Sequence, residues 1–262
     1  MGSSGDPIIL TGAASGVGDA TARQLIERGH QVISLDIKEP RAGVAAHHHC
    51  DLSDPASIDA AVAKLDGRYA SLLNVAGVPN AVGDERTIAV NFLGLRHITQ
   101  ALWDRIADGG TVVNVASIAG NQWRKRREQI AQLLATDSFQ SGIDWWRQHG
   151  EGLDTDSYTF SKEAVVVYTM QMAMQALPRG IRVNDVGPGP IETPIFQDFT
   201  DAVGAEVMQN MIDMVGRAAQ PKDIAEAIVV LAEGDMGWLN GQHIIVDGGM
   251  MAGFWSGARR PK

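Results

Sequence analysis

The chain has 262 residues, 45% apolar and 20% charged, with a mean hydropathy of -0.07. These values exclude a disordered chain, and the 29 glycines follow no three-residue period, which excludes a collagen-like one. The net charge of -9 excludes broad binding to nucleic acid or anionic membranes, because phosphate neutralisation needs basic surface.

Strand-like and helix-like segments alternate along the whole chain. Strands are predicted at Ile8–Leu10, Gln31–Asp36, Val44–His49, Ala70–Asn74, Thr111–Ala116, Ile181–Val186 and His243–Val246. Helices are predicted at Gly16–Arg28, Pro55–Leu65, Glu85–Ala107, Ser157–Leu177 and Pro221–Ala232. In the first, Ala20, Leu25 and Ile26 can face a core. Asp54 or Ser53 and Pro55 make a good helix start. The order βαβα predicts a doubly wound α/β fold, a parallel sheet flanked by helices on both faces. Its near-continuous apolar strands suit burial on both sides. No repeat or linker divides the chain, so residues 1–262 read as one domain.

Residues 118–156 break the alternation. A structureless loop of that length is uncommon in a compact domain. Asn121–Thr136 and Ile143–Gln148 read as helices, so the segment is a helical insertion or a lid.

The single Cys50 cannot pair internally, which fits a reducing, cytoplasmic setting. The N-terminus shows no basic region followed by an apolar core, so no secretion signal is read. No apolar run is long enough for a membrane span.

Chemistry begins at Thr11-Gly-Ala-Ala-Ser-Gly-Val-Gly18, which follows the first strand and opens the first helix. Gly12, Gly16 and Gly18 let backbone approach a pyrophosphate at the positive helix end, with Ser15 and Val17 in the same turn. Asp36 ends the second strand, where a carboxylate can accept from an adenosine ribose diol. It would repel a 2′-phosphate, so the expected cofactor is NAD, not NADP.

Tyr158 and Lys162 stand four residues apart on a predicted helix and share a face. A phenol titrates near 10, too high for a base at neutral pH. A nearby ammonium, or the positive ring of oxidised nicotinamide, favours the phenolate.

Further motifs occur in order: NVAG at Asn74–Gly77, NFLG at Asn91–Gly94, NVAS ending at Ser117, YTFSK at Tyr158–Lys162 and VGPGPIET at Val186–Thr193. Together with the glycine turn they resemble the short-chain dehydrogenase/reductase family from Ile8 to about Gly249. Val75 departs from the commoner NNAG. The resemblance implies a Rossmann-type sheet and an alcohol dehydrogenase or ketone reductase. It makes Tyr158 the acid/base and Lys162 its partner on the nicotinamide ribose. Ser117 would bind the substrate oxygen, and Asn91 would hold a water beyond Lys162. It also implies cofactor contacts from Asp51 and Leu52 at the adenine, from Asn74, Ala76 and Gly77, and from Pro188, Gly189, Ile191 and Thr193. Many relatives form tetramers through the helix that carries the tyrosine.

Two spacings are unusual for that family. Ser117 and Tyr158 stand 41 positions apart, from 117 to 158, and Gly77 and Asn91 only 14, from 77 to 91. This is similar to the bacterial 3α-hydroxysteroid dehydrogenase/carbonyl reductase branch. The insertion and Thr193–Phe199 resemble coniferyl alcohol dehydrogenases. The expected substrate is therefore a bulky apolar alcohol or its ketone, a hydroxysteroid or an aryl or phenylpropenyl alcohol. The alternatives are a small secondary-alcohol or polyol dehydrogenase and an NAD-sensing regulator without turnover. Intact Ser117, Tyr158, Lys162 and Asn91 count against the regulator. A homodimer or homotetramer is expected, and the insertion favours the dimer.

Phe196, Phe199, Met208, Met211 and Met214 follow the last motif. They suit an adaptable apolar pocket, and equally suit helix packing. Trp145 and Trp146 read first as anchors of the insertion. His47–His49 alternate faces on a strand and cannot converge on one ion, so no metal is expected. Arg124–Arg127 reads as a solvated helix face.

Overall fold

A computed structural model describes residues 5–234 and 236–258. Residues 1–4, where the stretch read for a secretion signal begins, lie outside the described part. The elements run β1 (Ile8–Thr11), α1 (Gly16–Glu27), β2 (Val32–Asp36), β3 (Ala46–His49), α2 (Pro55–Val62), β4 (Tyr69–Asn74) and α3 (Asp84–Ile88). A π-helical stretch, Ala89–Gly94, leads into α4 (Leu95–Leu102) and β5 (Ile106–Val115). The insertion holds a 3-10 stretch, Ile118–Arg126, then α5 (Arg127–Leu134) and α6 (Phe139–His149). The rest is α7 (Ser157–Ala176), β6 (Arg182–Pro188), α8 (Phe196–Val203), α9 (Ala205–Val215), α10 (Pro221–Glu233), β7 (His243–Val246) and α11 (Met250–Ser256).

The seven strands form one sheet in the order β3-β2-β1-β4-β5-β6-β7, all in parallel pairs. This is the doubly wound arrangement, with order reversing beside β1. Successive side chains feed opposite faces. Leu72 packs with Ile98 and Phe160, while Leu73 packs with Leu25 and Ile228. On α1 the core face is Val17, Ala22 and Leu25, whereas Ala20 and Ile26 are half-buried. Asp54 caps α2 as its position predicts, accepting from Ala56 N at 2.9 Å.

The single helix expected over Glu85–Ala107 is not formed. It is divided by the π-helical stretch and ends at Leu102, and Ile106 already pairs with Tyr69 in the sheet. The Arg105 guanidinium donates to the Val62 and Leu65 carbonyls at 3.2 and 2.6 Å, fixing the turn. Tertiary pairing overrides helical propensity there.

Candidate active site

A cleft of about 1170 Å³ opens at the carboxyl ends of the strands. Sequence-expected residues line it: Gly12, Ser15, Gly16, Val17 and Gly18, Asp36, Asp51 and Leu52, and Ala76 and Gly77. So do Ser117, Tyr158, Lys162, Pro188, Gly189, Ile191 and Thr193.

The glycine turn fits a dinucleotide phosphate by its own sterics. Gly12 has φ +77, and a Cβ there would lie 2.7 Å from the Ala76 Cα. A Cβ on Gly18 would overlap the Gly12 carbonyl oxygen. Gly16 has φ +53, and a Cβ there would meet Thr193 Cγ2 at 3.3 Å. Thr193 thus stands over the turn. Among the described residues the Ser15 side chain makes no cap bond to α1, so its hydroxyl and the first-turn amides face the cleft mouth. Asp36 is held for reading a ribose. Its Oδ2 accepts from Ala14 N and its Oδ1 from Lys38 N, each at 2.9 Å.

The reacting groups converge from three elements. Ser117 follows β5, and its Oγ accepts from Ala119 N at 3.1 Å. Tyr158 and Lys162 lie on the first turns of α7, whose cap Asp156 accepts from Thr159 N at 2.9 Å. Lys162 Nζ donates to the Val115 carbonyl at 2.9 Å and stands 5.7 Å from the Tyr158 ring centroid. A Cβ on Gly77 would meet Lys162 Nζ at 3.4 Å and Asn91 Oδ1 at 3.3 Å.

Two expected residues do not line the cleft. Asn74 is buried in the sheet, where its Nδ2 donates to Asn114 Oδ1 at 2.8 Å and Thr99 Oγ1 at 3.0 Å. Its side-chain amide ties β4 to β5 and to α4. Asn91 sits behind Gly77, accepting from Val78 N at 2.8 Å and donating to the Val78 carbonyl at 2.9 Å.

The electrostatics depart from the sequence expectation. Burial pushes the Tyr158 hydroxyl up to about 12, and a hydrogen bond from the Ser117 hydroxyl opposes the shift. Burial pulls Lys162 down to about 8, opposed by the charge on Asp185. The lysine was expected to lower the tyrosine. Its ammonium instead spends a hydrogen bond on Val115, and desolvation dominates both groups.

The Phe196, Phe199, Met208, Met211 and Met214 side chains line the cleft, joined by Phe254 and Trp255 of α11, which sequence reading missed. Phe199 meets Tyr158 edge-on, with ring centroids 4.9 Å apart. Trp145 stacks on Phe160 and Trp146 packs on it at a tilt of 32°, both buried in the core.

The basic run is not a uniformly solvated face. Arg126 donates to both oxygens of Glu163, at 2.7 and 2.5 Å. Glu163 is fully buried on α7, so an unpaired charge would stand there without it. Arg124 does face out, stacked on Trp123 at 4.4 Å. His47 to His49 lie on β3, with His47 Nδ1 3.3 Å from Ser34 Oγ.

Residues 7–128 match the family model for short chain dehydrogenase, and residues 146–251 match that described as Enoyl-(Acyl carrier protein) reductase. A coniferyl-alcohol dehydrogenase of Pseudomonas sp. strain HR199 is 34% identical over 93% of this chain and 95% of its own. A 3-alpha-(or 20-beta)-hydroxysteroid dehydrogenase of Mycobacterium tuberculosis is 29% identical over 95% of this chain and 90% of its own. The crystal structure of the 3-alpha-hydroxysteroid dehydrogenase from Pseudomonas sp. B-0831 complexed with NADH superposes with a TM-score of 0.81. It is 30% identical, covering 95% of this chain and 98% of that one.

Proposed function

The chain belongs to the short-chain dehydrogenase family, and from its cleft we propose an NAD-dependent enzyme that interconverts a bulky apolar alcohol and its carbonyl. The observation that carries the reading is the meeting of Ser117, Tyr158 and Lys162 on one wall of a cleft whose other end is the glycine turn. The nicotinamide supplies hydride transfer, which no side chain can. In carbonyl reduction the Tyr158 hydroxyl gives its proton to the developing alkoxide; in oxidation the same oxygen takes the alcohol proton. Ser117 orients the substrate oxygen beside it. Lys162 carries positive charge below its crossing near 8, and that charge favours a phenolate against the larger opposing effect of burial on Tyr158.

Asp36 supports NAD over NADP. Its carboxylate is fixed by two backbone amides, so it cannot swing away from a 2′-phosphate. The Phe and Met side chains over Tyr158 support a bulky apolar substrate; the hydroxysteroid and coniferyl-alcohol activities of the relatives point the same way. We assign the protein to the cytoplasm on its single buried Cys50. No helix among the described residues is long and apolar enough to cross a membrane.

The test is an NADH-absorbance screen over steroid, aryl and short alcohols with each cofactor. Turnover of bulky alcohols with NAD is expected. Turnover confined to small polar alcohols defeats the substrate reading, and an NADP preference defeats the Asp36 argument. Tyr158→Phe should keep cofactor affinity and lose most turnover; near-normal turnover in that variant overturns the acid/base role.

A further inference from the structure

A row of buried polar side chains crosses the sheet one residue below the reacting groups. Asn74 pairs with Asn114, Asn114 with Asp185 and Asp185 with His243. Asn114 Nδ2 donates to Thr169 Oγ1 of α7 at 2.9 Å, so the row faces the helix that carries Tyr158 and Lys162. Asp185 is fully buried, and its Oδ1 is hydrogen-bonded to His243 Nδ1. The proposed chemistry uses neither residue.

The pair is built into the sheet. A Cβ on Gly187 would overlap the His243 imidazole, so the ring occupies space that glycine leaves open on β6. Among the described residues His243 Nε2 is buried without a partner, while the Asp185 carboxylate also takes a hydrogen bond from Thr169 of α7. A proton on Nε2 would bury an N–H with no acceptor, so the favoured tautomer carries its hydrogen on Nδ1 and donates to Asp185. That bond favours the ionised carboxylate of Asp185 against the upward push of burial. A buried carboxylate needs a positive partner. Lys162 is the one cation on α7, which packs on β6, and its ammonium bonds Val115, the residue after Asn114, which stands in register with Asp185.

Other charges near this part of α7 are spoken for. Glu163 is paired with Arg126. On α3, Asp84 accepts from Ser157, Glu85 pairs with Arg147 and Arg86 stands near Asp51. Arg182, the other ionisable group of β6, donates to the Leu231 and Gly234 carbonyls at 3.3 and 2.9 Å. On α7 itself the other titratable side chains are Tyr158 and the buried Tyr168, and the cap Asp156 adds negative charge beside Tyr158.

We propose that Asp185, held by His243, is a positioning residue that keeps Lys162 an ammonium beside Tyr158. The inference rests on Lys162 belonging to the reacting set proposed above. Burial drives the two charges in opposite directions, Asp185 up and Lys162 down, and each opposes the shift of the other. Without Asp185 the lysine would cross to neutral nearer physiological pH, and the phenolate would lose its support.

The direct readout is the pH titration of Lys162 in the full-length protein labelled with ¹³Cε-lysine, its signal assigned by loss in Lys162→Met. Asp185→Asn keeps shape and removes charge. It should lower the Lys162 midpoint by about one unit, a tenfold change in that equilibrium, and move the alkaline limb of kcat/KM equally. His243→Phe should lower the midpoint too, because the carboxylate loses its donor. His243→Asn, which returns an N–H near the Nδ1 position, should restore it. An unchanged Lys162 midpoint in folded Asp185→Asn overturns the proposal whatever happens to turnover. Should Asp185→Asn fail to fold, an unchanged midpoint in His243→Phe overturns it instead. Failure of the wild-type enzyme to oxidise any alcohol would strike the proposed activity and leave the Lys162 titration readable.

Discussion

Two segments close over the cleft, the insertion at 118–156 and the arm at 196–215, and they are held in opposite ways. The insertion buries Ile130, Leu133, Phe139, Ile143, Trp145 and Trp146. It is also tied by charge. The buried Arg96 of α4 donates to the Leu133, Thr136 and Ser138 carbonyls at 3.2, 3.1 and 2.8 Å, and Arg126 clasps Glu163. In the arm, α8 has no buried residue and α9 has only Met208. The contrast separates two jobs. One segment fixes the Tyr158 helix by deep burial, and the other lines the cleft with side chains free to re-pack.

The largest effects should come from the insertion. Trp146→Ala should cost about 3–5 kcal/mol. Arg126→Met strands the Glu163 carboxylate and should cost a similar 3–5 kcal/mol or so. The double variant Arg126→Met with Glu163→Met should recover most of that loss. Denaturant unfolding reads all three. Loss of less than about 1 kcal/mol from either single variant would place the insertion among the loosely held segments.

Next comes Lys162, which couples the two jobs. Its pKa falls from 10.5 unfolded to about 8 folded, so the native state carries a desolvation cost that is fully present below pH 8. The cost is relieved as pH rises from about 8 to 10.5. Lys162→Met alone would strand the Asp185 carboxylate, so the double variant Lys162→Met with Asp185→Asn should be inactive yet more stable at pH 7, by at most about 3 kcal/mol. That advantage should disappear near pH 10.5, as thermal melts across pH would show. A variant equally stable or weaker at pH 7 would contradict the sign.

The arm should answer in binding. Phe199→Ala removes the edge contact on Tyr158 and should raise KM for bulky alcohols about tenfold. Its unfolding free energy should change by less than about 0.5 kcal/mol. The smallest readout is assembly. The 3-10 stretch and α5 pack on α7, and light scattering is expected to give a dimer.

The fold was legible because its signals are local. Glycines at the first turn, a Pro-led helix at Pro55 and apolar runs such as His243–Val246 fall where the strands and helices stand. The cleft lining was equally legible at Gly12, Ser117, Tyr158 and Thr193. What escaped was long-range pairing. Arg126 looks solvated until Glu163, on another element, is seen to be buried. Asn74 sits in a binding motif, yet its amide turns to Asn114 across the sheet. Asp185 and His243 lie 58 positions apart, and no local pattern links them. The Glu85–Ala107 helix failed for the same reason, because the pairing of Ile106 is set by Tyr69.

Arg96 gives the insertion a history of its own. Excising residues 118–156 to shorten the chain would strip the acceptors from Arg96 and the partner from Glu163, and would bare the apolar faces of α4 and α7 that the insertion covers. Such a trimmed protein would need compensating apolar replacements at both sites before it could fold. An appendage fastened this way works as a ratchet: simple to elaborate, hard to shed, and transferable to a relative only together with the residues that grip it.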